Sequence, residues 1–279
     1  MTPAENTGVP VSMAAPIGVF DSGVGGLSVL RAIRQELPDE HLVYVADSAN
    51  APYGNRPIDF IEARSMAMVE FLIGRGAKAI VVACNTATVV AVARLRSQFR
   101  IPIVAMEPAI KPAVGLTRSR VIGVLATHQT LASDSVHRLC ILYGGKVRIL
   151  LQPCPGWVEC VEGGDLLGVE TRRIVQSALA PLMKAGADTL VLGCTHYAFL
   201  REAITDIVGP GVTLVDSAPA VARELARRIS GHRRTSDPLS PACEQFYSTA
   251  PLDEATALLS RLWGKQVVVR PVDGGLDCD

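Results

Sequence analysis

Two short stretches carry the residues most suited to chemistry. "VVACNTATVVA" runs from Val81 to Ala91, and "LVLGCTHYAFL" from Leu190 to Leu200. Each is a β-branched or Leu-rich run that stops at a cysteine followed by polar side chains: Asn85 and Thr86 after Cys84, Thr195 and His196 after Cys194. A buried cysteine is ordinarily a small hydrophobe. Two of them at matching strand ends, each beside amide, hydroxyl or imidazole groups, point to function. One thiol would suggest a nucleophile. Two on opposite walls of a cleft suggest an acid/base pair, with one thiolate removing a proton from a carbon and the other thiol delivering one to the opposite face. That inverts a stereocentre. A free thiol has a pKa of about 8.5, so the site must favour one thiolate at a time. Asp21 and His196 are the expected assistants, near Cys84 and Cys194 respectively.

Other groups fall at predicted strand ends or in the loops after them. "DSGVGG" (21–26) places Asp21 and Ser22 before glycines that let backbone approach a ligand. A dinucleotide loop is the competing interpretation, and Asp47 about twenty residues on imitates one. The G-x-G-x-x-G spacing fails at Ser28, however, and both cysteines would stay unexplained. Asp21 could equally be a helix cap. "ADSANAPYG" offers Asp47, Pro52, Tyr53 and Gly54 in a loop, and "LATHQT" offers Thr127 and Thr130. Polar groups and backbone N–H at helix starts suit carboxylate ligands. Glu162 in "CVEGG" has the context of a solvated acid. The remaining cysteines (140, 154, 160, 243 and 278) lack a polar setting and are expected to be structural or incidental. None of the lysines (78, 111, 146, 184 and 265) ends a predicted strand, so a pyridoxal Schiff base is disfavoured and cofactor-free chemistry is expected.

The elements that must position these groups alternate strand and helix. "PIGVFDSG", "HLVYVAD" and "AKAIVVAC" read as strands, separated by helical patterns ending at Pro38 and near Gly76. The order then restarts with "RVIGVLATHQT", one helix over "LASDSVHRLCILYGG", the strand "VRILLQPCPG", a helix over "LLGVETRRIVQSALAPLMKAGA" and the strand "DTLVLGCTH". "IGVFDSG" aligns with "IGVLATH", and "AKAIVVACNT" with "ADTLVLGCTH". Val19 precedes Cys84 by 65 residues, and Val124 precedes Cys194 by 70. The pattern predicts an α/β protein of two pseudo-symmetric parallel-sheet lobes with the active site in the cleft between them, because ligands bind beyond the carboxyl ends of such strands. The expected division is a mobile extension over 1–16, a first lobe over 17–110 plus 217–279, and a second over 111–216.

Composition narrows the partners. The 279 residues hold 27 Lys+Arg and 27 Asp+Glu, a formal net charge of zero with no basic run. That gives no electrostatic footing for nucleic acid or an anionic membrane. The N-terminal stretch lacks the pattern of a signal peptide, and no apolar run reaches spanning length. Seven cysteines, an odd number without a C-x-x-C pair, fit free thiols in the cytoplasm and no metal site.

Taken in order, "FDSGVGGLSVL", "YVADSANAPYG", "VVACNTAT", "VIGVLAT", "VLGCTHY" and "LVDSA" resemble bacterial glutamate racemases of the aspartate/glutamate racemase family, over about Ile17 to Val272. The resemblance implies a cofactor-independent enzyme of two α/β domains that supplies D-glutamate for peptidoglycan. It implies Cys84 and Cys194 as the two proton donors and acceptors, Cys84 serving D-glutamate and Cys194 serving L-glutamate. It further implies that Asp21, Ser22, Pro52, Tyr53, Gly54, Asn85, Thr86, Thr195 and His196 contact or position the substrate, and that Thr127 and Thr130 hold a carboxylate. Glu162 falls on the glutamate of a family "VPLVE" segment, which reads "VECVE" here. A homodimer is left open. The residues also leave open a racemase of aspartate, a hydantoin or maleate enzyme, and a non-catalytic amino-acid or nucleotide binder.

Overall fold

The computed structural model describes residues 12–272. Most of the expected extension over 1–16, and Cys278, lie outside the described residues. Among the described residues, ten strands form two sheets. The first contains β1 (Ile17–Asp21), β2 (Leu42–Ala46), β3 (Ala79–Val82), β4 (Ile103–Ala105), β9 (Glu244–Ser248) and β10 (Val269–Pro271). The second contains β5 (Val121–Ala126), β6 (Arg148–Pro153), β7 (Thr189–Leu192) and β8 (Thr213–Asp216). All pairings between strands are parallel. β1, β2 and β3 are buried along their whole length, as expected for apolar runs covered by helices on both faces.

The strand orders expose the repeat. The first sheet runs β10-β9-β2-β1-β3-β4 and the second β6-β5-β7-β8. In each, the first strand of the unit lies between the second and the third. Connections leaving that strand's neighbours therefore run in opposite directions, and a crevice opens at their carboxyl ends, where ligands bind in this class of sheet. Cys84 lies two residues past the end of β3, and Cys194 two residues past the end of β7. Asp21 ends β1, and Thr127 follows β5.

One core joins the lobes. Ile17, Val19, Leu27 and Val81 of the first share a continuous cluster with Leu125, Trp157, Leu179, Leu190 and Leu192 of the second. The helix Leu27–Glu36 packs on Ala218–Arg228, and Trp157 meets Tyr197 edge-on at 4.8 Å.

Three expectations need correction. The single helix read over "LASDSVHRLCILYGG" is interrupted. His128–Leu131 forms one turn capped by Thr127, and a new helix, Asp134–Gly144, starts where Ser133 accepts the Val136 N–H. The strand read over "KQVVVRPV" shrinks to Val269–Pro271. The helix read from Leu166 starts at Val169, because Asp165 takes the Gly168 N–H and holds the preceding turn.

Candidate active site

Cys84 caps the helix Asn85–Gln98: its Sγ accepts the Ala87 N–H at 3.4 Å and contacts Ser22 Oγ at 3.5 Å. Cys194 precedes the short helical stretch Thr195–Leu200, and its Sγ lies 3.8 Å from His196 Nδ1. Each sulfur thus leaves a strand at the same offset and meets the start of a helical segment. Asp21 Oδ2 accepts from Thr195 Oγ1 at 3.3 Å, Thr195 Oγ1 lies 3.4 Å from His196 Nδ1, and that nitrogen is the one Cys194 contacts; Ser22, the partner of Cys84, is the next residue after Asp21. Cys84 is 5% exposed and Cys194 9%.

Asp21 is fully buried. Its Oδ2 also accepts the Gly26 N–H at 2.7 Å, so it does brace the following turn, as a capping residue would. Its Oδ1 has no protein partner, nor has either side-chain atom of the buried Asn85. Buried polar atoms are normally satisfied, so these three have hydrogen-bonding capacity left for a ligand. Burial raises the Asp21 carboxyl to about 6, although nearby His196 opposes the shift. Burial also pushes the Cys84 thiol well up, and the adjacent Asp21 charge adds to that. The environment of His196 is different. Burial disfavours its charged form, but hydrogen bonds to Cys194 and Glu162 outweigh this and lift the imidazole well above its usual value.

Glu162 is not a solvated acid. It ends the helix Trp157–Glu162, and its Oε1 meets His196 Nε2 at 2.6 Å and accepts the Val24 N–H at 2.7 Å. Its Oε2 accepts from Ser48 Oγ at 3.1 Å. This carboxylate therefore ties the second lobe to the glycine loop of the first. The loop must be glycine-rich to come this close. A Cβ on Gly23 would lie 1.9 Å from Glu162 Oε1, and one on Gly25 2.4 Å from His196 Nδ1.

The opposite flank is lined with hydroxyls. Thr86 Oγ1 is 3.0 Å from Thr127 Oγ1 and 3.4 Å from Thr130 Oγ1, and Thr127 and Thr130 are 3.0 Å apart. This triad crosses between the lobes. Gly54 abuts the Thr127 side chain from the loop that also carries Pro52 and Tyr53. Tyr53 is buried, and its hydroxyl donates to Asp47 at 2.5 Å. Asp47 in turn receives a two-pronged hydrogen bond from Arg64 (2.9 and 2.7 Å) and further ones from Asn50 and Thr249. A cavity of about 260 Å³ lies beside the triad, between Pro52 and Gly54 on one side and Thr127, Cys154 and Val158 on the other. Neither Cys84 nor Cys194 lines it.

The predicted residues thus gather in two clusters: Asp21, Thr195, His196, Cys194 and Glu162 in one contact network with Cys84 and Ser22 beside it, and Thr86, Thr127, Thr130 and Gly54 in the other. Sequence reasoning missed Arg64, Ser48 and Cys154. Cys154 is buried at the end of β6, where its carbonyl accepts from Tyr197. Its nearest signal was its own matched place after a strand. Among the described residues, no three His, Cys, Asp or Glu side chains cluster so as to hold a metal ion, and no helix is long and apolar enough to cross a membrane.

The fold and the paired strand-end cysteines define a class. The model of the Asp/Glu/Hydantoin racemase family matches residues 17–225, and the chain belongs to that family. Within it, the similarity is to glutamate racemases. The chain is 51% identical to the glutamate racemase of Methylococcus capsulatus over 260 residues, covering 93% of this chain and 96% of the relative. The crystal structure of the Francisella tularensis glutamate racemase in complex with D-glutamate superposes with a TM-score of 0.81 at 26% identity, over 96% of this chain and 100% of that one. That of the Escherichia coli glutamate racemase, in complex with L-glutamate and an activator, UDP-MurNAc-Ala, gives 0.81 at 32% identity, over 92% and 98%.

Proposed function

We propose that this chain interconverts L- and D-glutamate without a cofactor, using Cys84 and Cys194 as an acid/base pair on opposite faces of the α-carbon. The observation that carries the proposal is the matched offset of the two cysteines after equivalent strands of two facing lobes. Cys194 reaches the buried Asp21–Thr195 contact through His196, and Cys84 contacts Ser22, the residue after Asp21. In this reading the unpartnered Asp21 Oδ1 receives the substrate ammonium, and the Asn85 amide binds one carboxylate. The hydroxyls of Thr86, Thr127 and Thr130 take the other. Ser22 orients Cys84, and Tyr53 and Gly54 close the flank over the threonines.

The chemistry balances without a redox step. A thiolate takes the α-proton and becomes a thiol; the opposite thiol gives its proton to the planar carbanion and becomes a thiolate. As in the family, Cys194 serves L-glutamate and Cys84 D-glutamate. The lobes follow the division 17–110 plus 217–279 and 111–216, and all the site's side chains come from one chain, so a homodimer would not be needed to complete it. Free thiols require a reducing compartment, which favours the cytoplasm and a role in supplying D-glutamate to peptidoglycan.

The test is racemisation of L-glutamate in heavy water, sampled at low conversion. The opposite thiol is already equilibrated with solvent, so early D-glutamate should be almost fully deuterated at the α-carbon. Appreciable unlabelled D-glutamate would mean that a single base swings between faces. Absence of racemisation would remove the proposed function itself.

A further inference from the structure

After each turnover the two cysteines are left in exchanged protonation states. With L-glutamate as substrate, Cys194 ends holding the substrate's proton and Cys84 ends as a thiolate. Before another L-glutamate can react, the Cys194 proton must leave. The surroundings of the two sulfurs differ in how that can happen. The hydrogen bonds of Cys84 go to Ser22 and the Ala87 N–H, and Ser22 is itself buried. Cys194 instead contacts His196 at 3.8 Å, and His196 meets Glu162 at 2.6 Å. Exposure rises along that line, from 1% for the His196 side chain to 19% for Glu162. Glu162 also lines a cavity of about 550 Å³, separate from the one beside the threonines, formed with Val24, Ser48, Gly164, Ala257 and Arg261. The Arg261 guanidinium donates to the Gly164 carbonyl across the seam between the lobes and forms one side of this cavity.

We propose that His196 and Glu162 form a proton exit that resets Cys194, and that the second cavity is its opening to solvent. This rests on the two-thiol reading above. The thiol proton passes from Cys194 Sγ to His196 Nδ1, and the Nε2 proton of the same ring passes to Glu162 Oε1. The carboxyl then releases a proton to solvent in the cavity. One proton leaves, Cys194 becomes a thiolate and Glu162 returns to a carboxylate; the ring is left as its Nδ1–H tautomer and must revert to the Nε2–H form before the line carries a second proton. Run backwards, the same line protonates Cys194 when the enzyme works from D-glutamate. Glu162 touches no reacting atom in this scheme; it acts through His196. The glycine loop fits this assignment, because the Val24 N–H and Ser48 hydroxyl hold the carboxylate against the imidazole while Glu162 also borders the second cavity.

A crossover experiment reads the exit directly. L-glutamate carrying deuterium at the α-carbon and a heavy-nitrogen label is mixed with excess unlabelled D-glutamate in ordinary water. If deuterium on Cys194 washes out to solvent before the next substrate binds, L-glutamate with ordinary nitrogen stays free of deuterium. If the exit is blocked, Cys194 holds its deuteron until an unlabelled D-glutamate arrives, and delivers it to that molecule. E162Q keeps the shape of the side chain but cannot carry the proton. Deuterium in ordinary-nitrogen L-glutamate should then rise about tenfold over wild type at equal conversion. Wild-type crossover in an E162Q enzyme that still racemises overturns the proposal, because a merely structural Glu162 would change rate without changing where the deuterium goes. Should E162Q lose racemisation altogether, A257W decides. Ala257 is exposed on the cavity rim and outside the catalytic machinery, and a Trp there covers the opening. A similar rise in crossover at unchanged low-substrate rate supports the exit, and unchanged crossover overturns it. Failure of the wild-type enzyme to racemise glutamate at all would instead reject the underlying function.

Discussion

At the scale of single residues, the two cysteines occupy equivalent positions and have unlike neighbours. Cys84→Ala and Cys194→Ala should each lower racemisation by at least about a hundredfold, since each removes one half of the acid/base pair. Cys140→Ala and Cys243→Ala, outside both clusters of site residues, should leave most activity. Steady-state assays in both directions check this. His196→Asn should affect the directions unequally, but only in kcat and KM taken separately. The equilibrium constant between enantiomers is one, so kcat/KM must fall equally both ways; an equal change in kcat in both directions would count against an asymmetric site. Asp21 makes a further prediction. Its carboxyl is raised from 3.8 to about 6 in the folded state. The folded protein therefore binds this proton more tightly than the unfolded chain, and the stabilisation is complete below the unfolded value and lost as pH rises through about 6. Asp21→Asn should remove that loss and gain up to about 3 kcal/mol at neutral pH relative to acid, while activity falls. Denaturant midpoints measured across pH 4 to 7 read it, and a parallel pH profile for both proteins would contradict it.

At the scale of elements, loops set the site while strands fix where the loops begin. Gly25→Ala puts a Cβ 2.4 Å from His196 Nδ1, so the loop or the imidazole must move. Turnover should drop with little change in melting temperature, as glutamate assays and calorimetry would show. Arg64→Ala leaves the buried Asp47 without its cation, which should cost about 3 kcal/mol of stability and loosen Tyr53. Strands and cysteine positions were legible because buried parallel strands are written as continuous apolar runs, and the restart repeats them. The short strand Ile103–Ala105 and the helix Trp157–Glu162 were not legible, being too short to show a period. The pairing of Glu162 with His196 was hidden for another reason. It joins residues 34 apart through a fold-level contact, and "VECVE" carries no local mark of its partner. Arg64 was equally silent: inside an apolar helix a lone arginine looks like a surface residue until Asp47 is placed beside it.

At the scale of the whole molecule, the two sheets share one apolar core. They should unfold together rather than lobe by lobe. Trp157 lies in the second lobe and Trp263 in the last helix of the first, so W157F and W263F variants give one fluorescent reporter on each side. Both should report the same denaturant midpoint, and separated midpoints would mean independent lobes. The burial of both reactive sulfurs has a consequence for the protein's durability. Cys84 and Cys194 are each less than a tenth exposed, so alkylating reagents and peroxide reach them only while the cleft stands ajar. Iodoacetamide should therefore modify the exposed Cys243 promptly and the paired cysteines slowly, at a rate set by opening rather than by thiol reactivity. Saturating glutamate, by holding the lobes together, should lengthen that lag. An enzyme built on two oxidisable groups would thus be most resistant to inactivation while it is busiest.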